Sequence, residues 1–273
     1  MKIKLFVITY NNNFILNNFF LKSLFNSDLT AGHLEVYIID NHSNIRIRRE
    51  YKSRVITIAN NLRPDFSTGH LARSWNQCII NGFENLVDPK CDAVVACQAD
   101  TILDFNWLSD TIDCIKTNVK YCTAGAGDQF QIFTPEAIKN IGLYDERFCN
   151  IGFQEADYFL RALKFFPNNI SINDYYHNRV FNPLEYKFVN SELDGRILLC
   201  GHDRNDEHCT RSMEHHALSS KIFQYKWGHE LNTRNWRAGF KNTISLKGDN
   251  FIYYPYFEKD IPLEKLKQQN FII

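Results

Sequence analysis

The sequence lacks an excess of charge, long hydrophobic runs and paired cysteine motifs. Its 31 basic and 31 acidic residues cancel, which argues against the broad basic surface typical of nucleic-acid-binding proteins. No apolar run approaches the roughly 20 residues that span a bilayer, and the apolar N-terminal stretch is interrupted by Lys4 and too short for a signal peptide. The eight cysteines show no Cys-x-x-Cys spacing. We therefore expect reduced thiols in a cytoplasmic protein without a transmembrane segment or a nucleic-acid partner.

Three common enzyme motifs are also missing. The sequence has no Gly-x-Ser-x-Gly, no Gly-x-Gly-x-x-Gly after a strand, and no P-loop lysine. These absences argue against serine hydrolases, dinucleotide-binding enzymes and P-loop enzymes. What remains is a chain of 273 residues, 44% of them hydrophobic, which is enough for one large α/β domain.

Short apolar runs alternate with segments of helical spacing along the first half of the chain. The pattern predicts strands at 2–9, 35–40, 54–59 and 93–97, and helices at 14–25, 69–83 and 104–119. This alternation predicts βαβ units and a mostly parallel central sheet flanked by helices. We predict a core at 1–180 and an irregular C-terminal extension at 181–273 that packs on it and offers an acceptor or partner surface.

Polar residues end three of the predicted strands. The first runs into Thr9 and Tyr10, the second ends at Asp40, and the fourth leads to Asp100. The carboxyl ends of parallel strands meet at one sheet edge, where α/β proteins bind ligands. Two other interpretations stay open, because Asp100 could cap the next helix and Asp40 could simply initiate a turn.

Several stretches resemble, in order, the motifs of family 2 glycosyltransferases with the GT-A fold. Residues 7–11 (VITYN) and 36–43 (VYIIDNHS) resemble the opening of that family, and 72–76 (ARSWN) resembles part of its next element. Residues 141–161 resemble the segment written iGlfDerFf…EDxDlxxR. The resemblance covers roughly residues 1–180. It implies the GT-A fold and transfer of a sugar from a nucleotide-diphosphate sugar to a hydroxyl of a glycan or glycoconjugate, with inversion.

The same resemblance implies a donor site. The residues expected to bind the nucleotide-sugar are Thr9, Tyr10, Asp40, Arg73, Asn76, Gln98, Ala99 and Asp100. Asp100 and His177 are expected to hold a divalent metal, Mn²⁺ or Mg²⁺, at the diphosphate. The neutral Gln98 stands where the motif has its first acid, which leaves metal dependence open. Arg73 suits phosphate as a bidentate donor, but on a helix it could equally be a surface residue.

Glu155 and Asp157 are the predicted catalytic residues. Aligned on Asp157 and Arg161, Glu155 falls where the family places the carboxylate that activates the acceptor, although the family usually has Asp there. The resemblance therefore implies that Glu155 is the general base and that Asp157 orients the acceptor or braces the helix start. Acids in a first helical turn are also favoured by the helix dipole, so a purely structural role is the alternative.

Other functions are considered on the same residues. A chain that kept the fold but lost the acid at position 98 would be a catalytically silent sugar- or nucleotide-binding module. A sugar nucleotidyltransferase would need a Gly-rich basic loop after the first strand, whereas this chain has Tyr10 followed by three asparagines. The spacing of Cys200, His202, His208 and Cys209 fits no standard zinc pattern. Trp227 could be a core residue or a sugar-stacking platform.

Overall fold

A seven-stranded mixed sheet lies at the centre of the computed structural model, which describes residues 1–10, 12–41, 44–60, 70–124, 128–148, 152–165, 170–171, 197–199 and 213–231. The strand order is β3-β2-β1-β4-β7-β6-β8. The strands of this sheet are β1 Lys2–Thr9, β2 His33–Asp40, β3 Ile56–Ala59, β4 Ala93–Gln98, β6 Tyr121–Ala124, β7 Phe130–Phe133 and β8 Ile170–Ser171. A separate antiparallel pair joins β5 (Thr101–Leu103) to β9 (Ile197–Leu199).

The predicted α/β fold is confirmed, and the sheet is mostly parallel. Strands β1, β2, β3 and β4 run parallel to one another, and β8 is parallel to β6. Strand β7 runs antiparallel to both β4 and β6. Because the four predicted strands, β1 to β4, run parallel to one another, their carboxyl ends meet at one edge of the sheet, as the sequence pattern indicated.

Helices cover both faces of the sheet. In the described ranges they are α1 Asn13–Ile15, α2 Leu21–Asn26, α3 Arg49–Lys52, α4 His70–Phe83, α5 Trp107–Lys116, α6 Pro135–Ile141, α7 Phe153–Phe165 and α8 Met213–Trp227. A π-helical segment, Leu16–Phe20, joins α1 to α2 without a break. None of these described helices is long and apolar enough to cross a membrane.

Alternation along β1 divides the core into two clusters. Phe6 and Ile8 pack with the cluster that contains buried residues of α4, α6 and α7. Leu5 and Val7 face the other way, toward residues of α2 and α5. Since successive strand residues point to opposite faces, a slip of one residue would exchange the two clusters, and this fixes the register of the central strand.

The sequence pattern missed β5, β6, β7, β9, α3 and α6, which are only three to seven residues long and too short for a periodic signal to stand out. It also missed α8, a helix of 15 residues within the extension that was predicted to be irregular. One local signal was present at α6, where Thr134 accepts a hydrogen bond from the Ala137 N–H at 3.2 Å and Pro135 occupies the first turn. Such a cap followed by proline is typical of a helix start.

Two described parts of the predicted extension contact the core. Strand β9 pairs with β5, and α8 inserts Phe223 and Trp227, both buried, into the cluster around α7. Trp227 is therefore a core residue in this structure. The predicted metal ligand His177 and the residues Cys200, His202, His208 and Cys209 lie outside the described residues.

Candidate active site

The tips of the central strands bring together six of the eight predicted donor-site residues, all except Arg73 and Asn76. Thr9 lies opposite Asp40 in the β1–β2 register, and Ile8 lies opposite Gln98 in the β1–β4 register. Asp100 comes two residues after Gln98 and is 2% exposed. The next helix, α5, starts at Trp107 after its N-cap residue Asn106. Asp100 therefore does not cap a helix, and that alternative is wrong.

Asp40 and Thr9 lie side by side at the ends of β2 and β1 on this edge. The Asp40 carboxylate accepts a hydrogen bond from the Ile45 N–H at 3.2 Å, so it also shapes the turn after β2. The hydroxyl of Thr9 is buried and has no hydrogen-bond partner in the described part of the chain. A buried hydroxyl in that state is costly unless a ligand or water satisfies it. Tyr10 is half-buried beside it.

Gln98 and Ala99 continue the ladder of the sheet at this edge. The Gln98 N–H donates to the carbonyl of Gln129, and the Ala99 N–H donates to that of Ile8, both at 3.0 Å. Ala99 is 2% exposed. At this position a small side chain lets other groups approach the strand tip closely.

Asp128 is an acid of this site that the sequence analysis did not identify. Strand β7 is antiparallel to β4, with Phe130 opposite Cys97, so the residues before β7 arrive at the same edge where β4 ends. There Asp128 accepts hydrogen bonds from the Trp75 indole N–H at 2.7 Å and from the Gln98 amide at 3.3 Å. The available signal was a Gly-Ala-Gly sequence running into an acid just before an apolar run.

Glu155 lies next to Asp128. It stands in the first turn of α7, is half-buried, and forms a side-chain hydrogen bond with Asp128. Burial raises the pKa of Asp128 to about 6, although the hydrogen bonds from Trp75 and its other neighbours oppose this. Gln154 is fully buried next to Asp128, and its amide also lowers the pKa of Asp128. Among the described residues, the side-chain N and O atoms of Gln154 form no hydrogen bond of normal geometry.

Asp157 lies on the buried side of the same helix. It is 0% exposed and accepts hydrogen bonds from Arg161 at 3.0 Å and from the Trp227 indole at 2.9 Å. Lys226 is 2.8 Å from the Asp157 carboxylate and 2.9 Å from that of Asp145. This arrangement ties α7 to α8 through buried charge.

Arg73 and Asn76, one helical turn apart on α4, contact the segment before α7. The Asn76 amide donates to the Tyr144 carbonyl at 2.9 Å and accepts from the Tyr144 N–H at 2.7 Å. Arg73, with a side chain 64% exposed, lies 3.5 Å from Glu146. Both contacts are with protein groups, so the predicted roles of Arg73 and Asn76 in donor binding stay predictions.

The described residues contain no group of three His, Cys, Asp or Glu side chains close enough to hold a metal ion by themselves. Asp100 is the predicted ligand inside the described ranges. A carboxylate at a strand tip is a hard oxygen ligand of the kind that Mg²⁺ and Mn²⁺ take.

No family model and no curated protein matches the sequence, but solved structures are similar in fold. S. aureus TarS matches at 14% identity and a TM-score of 0.46, over 64% of this chain and 35% of that chain. The mannosyltransferase PcManGT from Pyrobaculum calidifontis, solved with GDP-Man and Mn²⁺, matches at 13% identity and a TM-score of 0.44. This match covers 63% of this chain and 54% of that chain. This chain therefore corresponds to little more than half, or less, of the length of these two proteins.

A third similar structure is the glucosyl-3-phosphoglycerate synthase from Mycobacterium tuberculosis, solved with Mn²⁺, UDP and glucosyl-3-phosphoglycerate. It matches at 13% identity and a TM-score of 0.44, over 63% of this chain and 69% of that chain. The three similar structures are glycosyltransferases with the GT-A fold.

Proposed function

We propose that the chain is a cytoplasmic glycosyltransferase that moves a sugar from a nucleotide-diphosphate sugar to a hydroxyl of a glycan or glycoconjugate, with inversion. The observation that carries this proposal is the pairing of Glu155 with the buried Asp128 at the sheet edge where Asp40 and Asp100 also lie. Acids that converge on one strand-end edge, with the pKa of Asp128 among them raised by burial, are typical of a catalytic site.

In this proposal the nucleotide lies over the tips of β1 and β2. Asp40 accepts hydrogen bonds from the nucleotide, because a carboxylate has acceptor capacity beyond its bond to Ile45. The buried hydroxyl of Thr9 gains its missing partner from the same ligand. Tyr10 borders the pocket. The sugar and its diphosphate then extend toward β4 and the acids beyond it.

The residues at the end of β4 fit a divalent cation. Mg²⁺ and Mn²⁺ are commonly held by one or two protein carboxylates together with substrate phosphate oxygens, and the buried Asp100 supplies one carboxylate. When bound, the cation would offset the negative charge of the leaving diphosphate. We keep His177 as the second proposed ligand. Arg73 would reach phosphate after leaving Glu146, to which it is held by an exposed and therefore weak ion pair.

Glu155 is the proposed general base. The acceptor oxygen forms its bond to the anomeric carbon while the bond from that carbon to the diphosphate breaks, and the electron pair leaves with the diphosphate. The acceptor proton passes to the carboxylate of Glu155, which stands in the first turn of α7 and forms a side-chain hydrogen bond with Asp128. Asp157 braces the start of α7 from its buried side; of the two roles considered for it, this is the one its contacts support.

The proposal is tested by release of nucleoside diphosphate from UDP-glucose, UDP-N-acetylglucosamine and GDP-mannose with Mn²⁺. For Glu155→Gln we expect release at least about a hundredfold slower than for the unmodified chain, because a general base contributes about 10²–10⁴-fold. Affinity for UDP or GDP should stay within a few-fold. Glu136→Gln is the matched control, since Glu136 is also an acid in a first helical turn but is exposed on α6.

Near-normal release by Glu155→Gln would refute the base assignment. The silent-module alternative has one observation in its favour, because the Gln98 amide is engaged by Asp128. If UDP or GDP binds but no donor is turned over by the unmodified chain, the silent module is the better description.

A further inference from the structure

Exposed aromatic and basic side chains meet on one surface of the molecule, on the two segments that follow the ends of β1 and β2. This aromatic–basic face consists of residues 13–26 and residues 44–54. Phe14 is 69% exposed and Phe19 is 36% exposed, although both lie in a helix whose other face packs in the core. Their rings contact each other edge-on at 5.9 Å. Large exposed aromatic side chains side by side are unusual on a surface that faces only water.

Hydrogen bonds hold the basic segment against these aromatic residues. The Arg46 N–H donates to the Asn13 side chain at 2.7 Å, and the Arg48 N–H donates to that of Asn17 at 2.9 Å. The Arg48 guanidinium donates to Asn18, whose own amide bonds the Phe14 carbonyl at 2.8 Å. The Arg48 side chain, 46% exposed, is therefore held at Asn18, which lies between the two phenylalanines on the same helical segment.

The charge of this face is strongly one-sided. Residues 13–26 and 44–54 contain six basic residues and a single acid, Glu50. All six basic residues are exposed; they are Lys22, Arg46, Arg48, Arg49, Lys52 and Arg54. Since the whole chain has a formal net charge of zero, this face concentrates positive charge, and the rest of the chain carries a net negative charge.

We infer that the aromatic–basic face docks the protein on an anionic lipid surface. Basic side chains are attracted to negatively charged headgroups within about a Debye length, and phenylalanine rings gain from insertion at the boundary between headgroups and acyl chains. A hydrated polyanion would use the arginines but has less to gain from the edge-on phenylalanine pair, so the combination favours lipid. This function adds to the proposed transfer reaction and does not depend on it.

The test uses the full chain and extruded vesicles of phosphatidylcholine alone or with 30 mol% phosphatidylglycerol. We expect co-sedimentation with the anionic vesicles and at least about a tenfold loss between low salt and 0.5 M NaCl, because exposed charges are screened. Arg46→Glu/Arg49→Glu should weaken binding at least about twentyfold, since each basic residue contributes roughly fivefold. Phe14→Ser should weaken it several-fold with less change in the salt dependence.

Matched controls come from other exposed positions. Lys116→Glu/Lys139→Glu reverses the same number of charges elsewhere on the surface, and Phe105→Ser removes another exposed phenylalanine, 59% exposed. These controls should bind vesicles like the unmodified chain. Circular dichroism checks that each variant is folded. If the double variant is not folded, the single variant Arg49→Glu takes its place in the binding test.

Three results would overturn the inference. The first is equal binding to both vesicle types, and the second is equal loss in the control variants. The third is a chain that does not bind the vesicles but binds soluble polyphosphate, and whose polyphosphate binding is weakened by Arg46→Glu/Arg49→Glu. The last outcome would assign the face to an anionic polymer.

Discussion

Asp128 is held in an environment that disfavours its charge. It is 3% exposed and accepts the Trp75 indole bond, yet burial still raises its pKa to about 6. A raised folded-state pKa means that the native state holds a proton that the unfolded chain has already lost. The stability of the protein should therefore fall as the pH rises from about 4 to about 6, and the cost is fully present above that range.

Asp128→Asn is expected to remove this dependence. The asparagine oxygen can still accept from Trp75, and its amide can donate to Glu155, so the variant keeps two contacts of the site without a titrating group. The melting temperature of the variant minus that of the unmodified chain should rise between pH 4 and pH 7 and then level off. Asp113→Asn, at an exposed position of α5, controls for loss of one negative charge. A difference that stays flat across this range would contradict the raised pKa.

At the scale of elements, the junction between α7 and α8 rests on buried ions. Lys226 lies between Asp145 and Asp157, and Arg147 and Arg161 each bind one of these acids. Burial by itself raises the pKa of Asp145, but the charges of Lys226 and Arg147 outweigh it and hold that pKa well below its usual range. The stabilisation from Asp145 is thus present above about pH 4 and is lost only as the pH falls through its lowered value.

Lys226→Met is expected to destabilise the fold by about 3 kcal/mol, which is at the lower end of the range for breaking a buried ion pair. The loss is at the lower end because Asp145 keeps its ion pair with Arg147, and Asp157 keeps its ion pair with Arg161. Urea unfolding measures the loss. Lys221→Met makes the same substitution on the exposed side of the same helix and should change the free energy of unfolding by less than about 0.5 kcal/mol. Equal effects in the two variants would show that α8 does not depend on the buried ions. Since Asp157 follows Glu155 by two residues, Lys226→Met should also slow donor turnover if α8 positions the proposed base.

At the scale of the whole molecule, the sequence predicted strands β1 to β4 of the sheet better than the part that contains the antiparallel strand β7. Strand β1 was predicted at its observed bounds, and Asp40 was correctly placed at the end of β2, because buried parallel strands are long apolar runs that end at one edge. Asp128 was missed for a physical reason. It comes before β7, and a residue before a strand reaches this edge only if that strand is antiparallel, which is a property of the topology and is not visible in local spacing.

The proposed donor site predicts a response of the whole fold to nucleotide. UDP or GDP at about a hundred times its dissociation constant should stabilise the native state by about 2.7 kcal/mol, which is roughly 5–10 °C in melting temperature for a chain of this size. Asp40→Asn keeps an oxygen for the Ile45 N–H but loses the charge-assisted bond to ligand. Its nucleotide affinity should fall roughly tenfold to a hundredfold.

The control for Asp40→Asn is Asp92→Asn, at an exposed acid beside the opposite, amino end of β4. Each variant is compared with its own ligand-free melting temperature, so any loss of intrinsic stability cancels. Calorimetric titration with the nucleotide gives the affinities directly. An Asp40→Asn chain that binds UDP and GDP as tightly as the Asp92→Asn control would remove Asp40 from the nucleotide site. The role of the Asp40 carboxylate would then be to stabilise the turn after β2 through its hydrogen bond with Ile45.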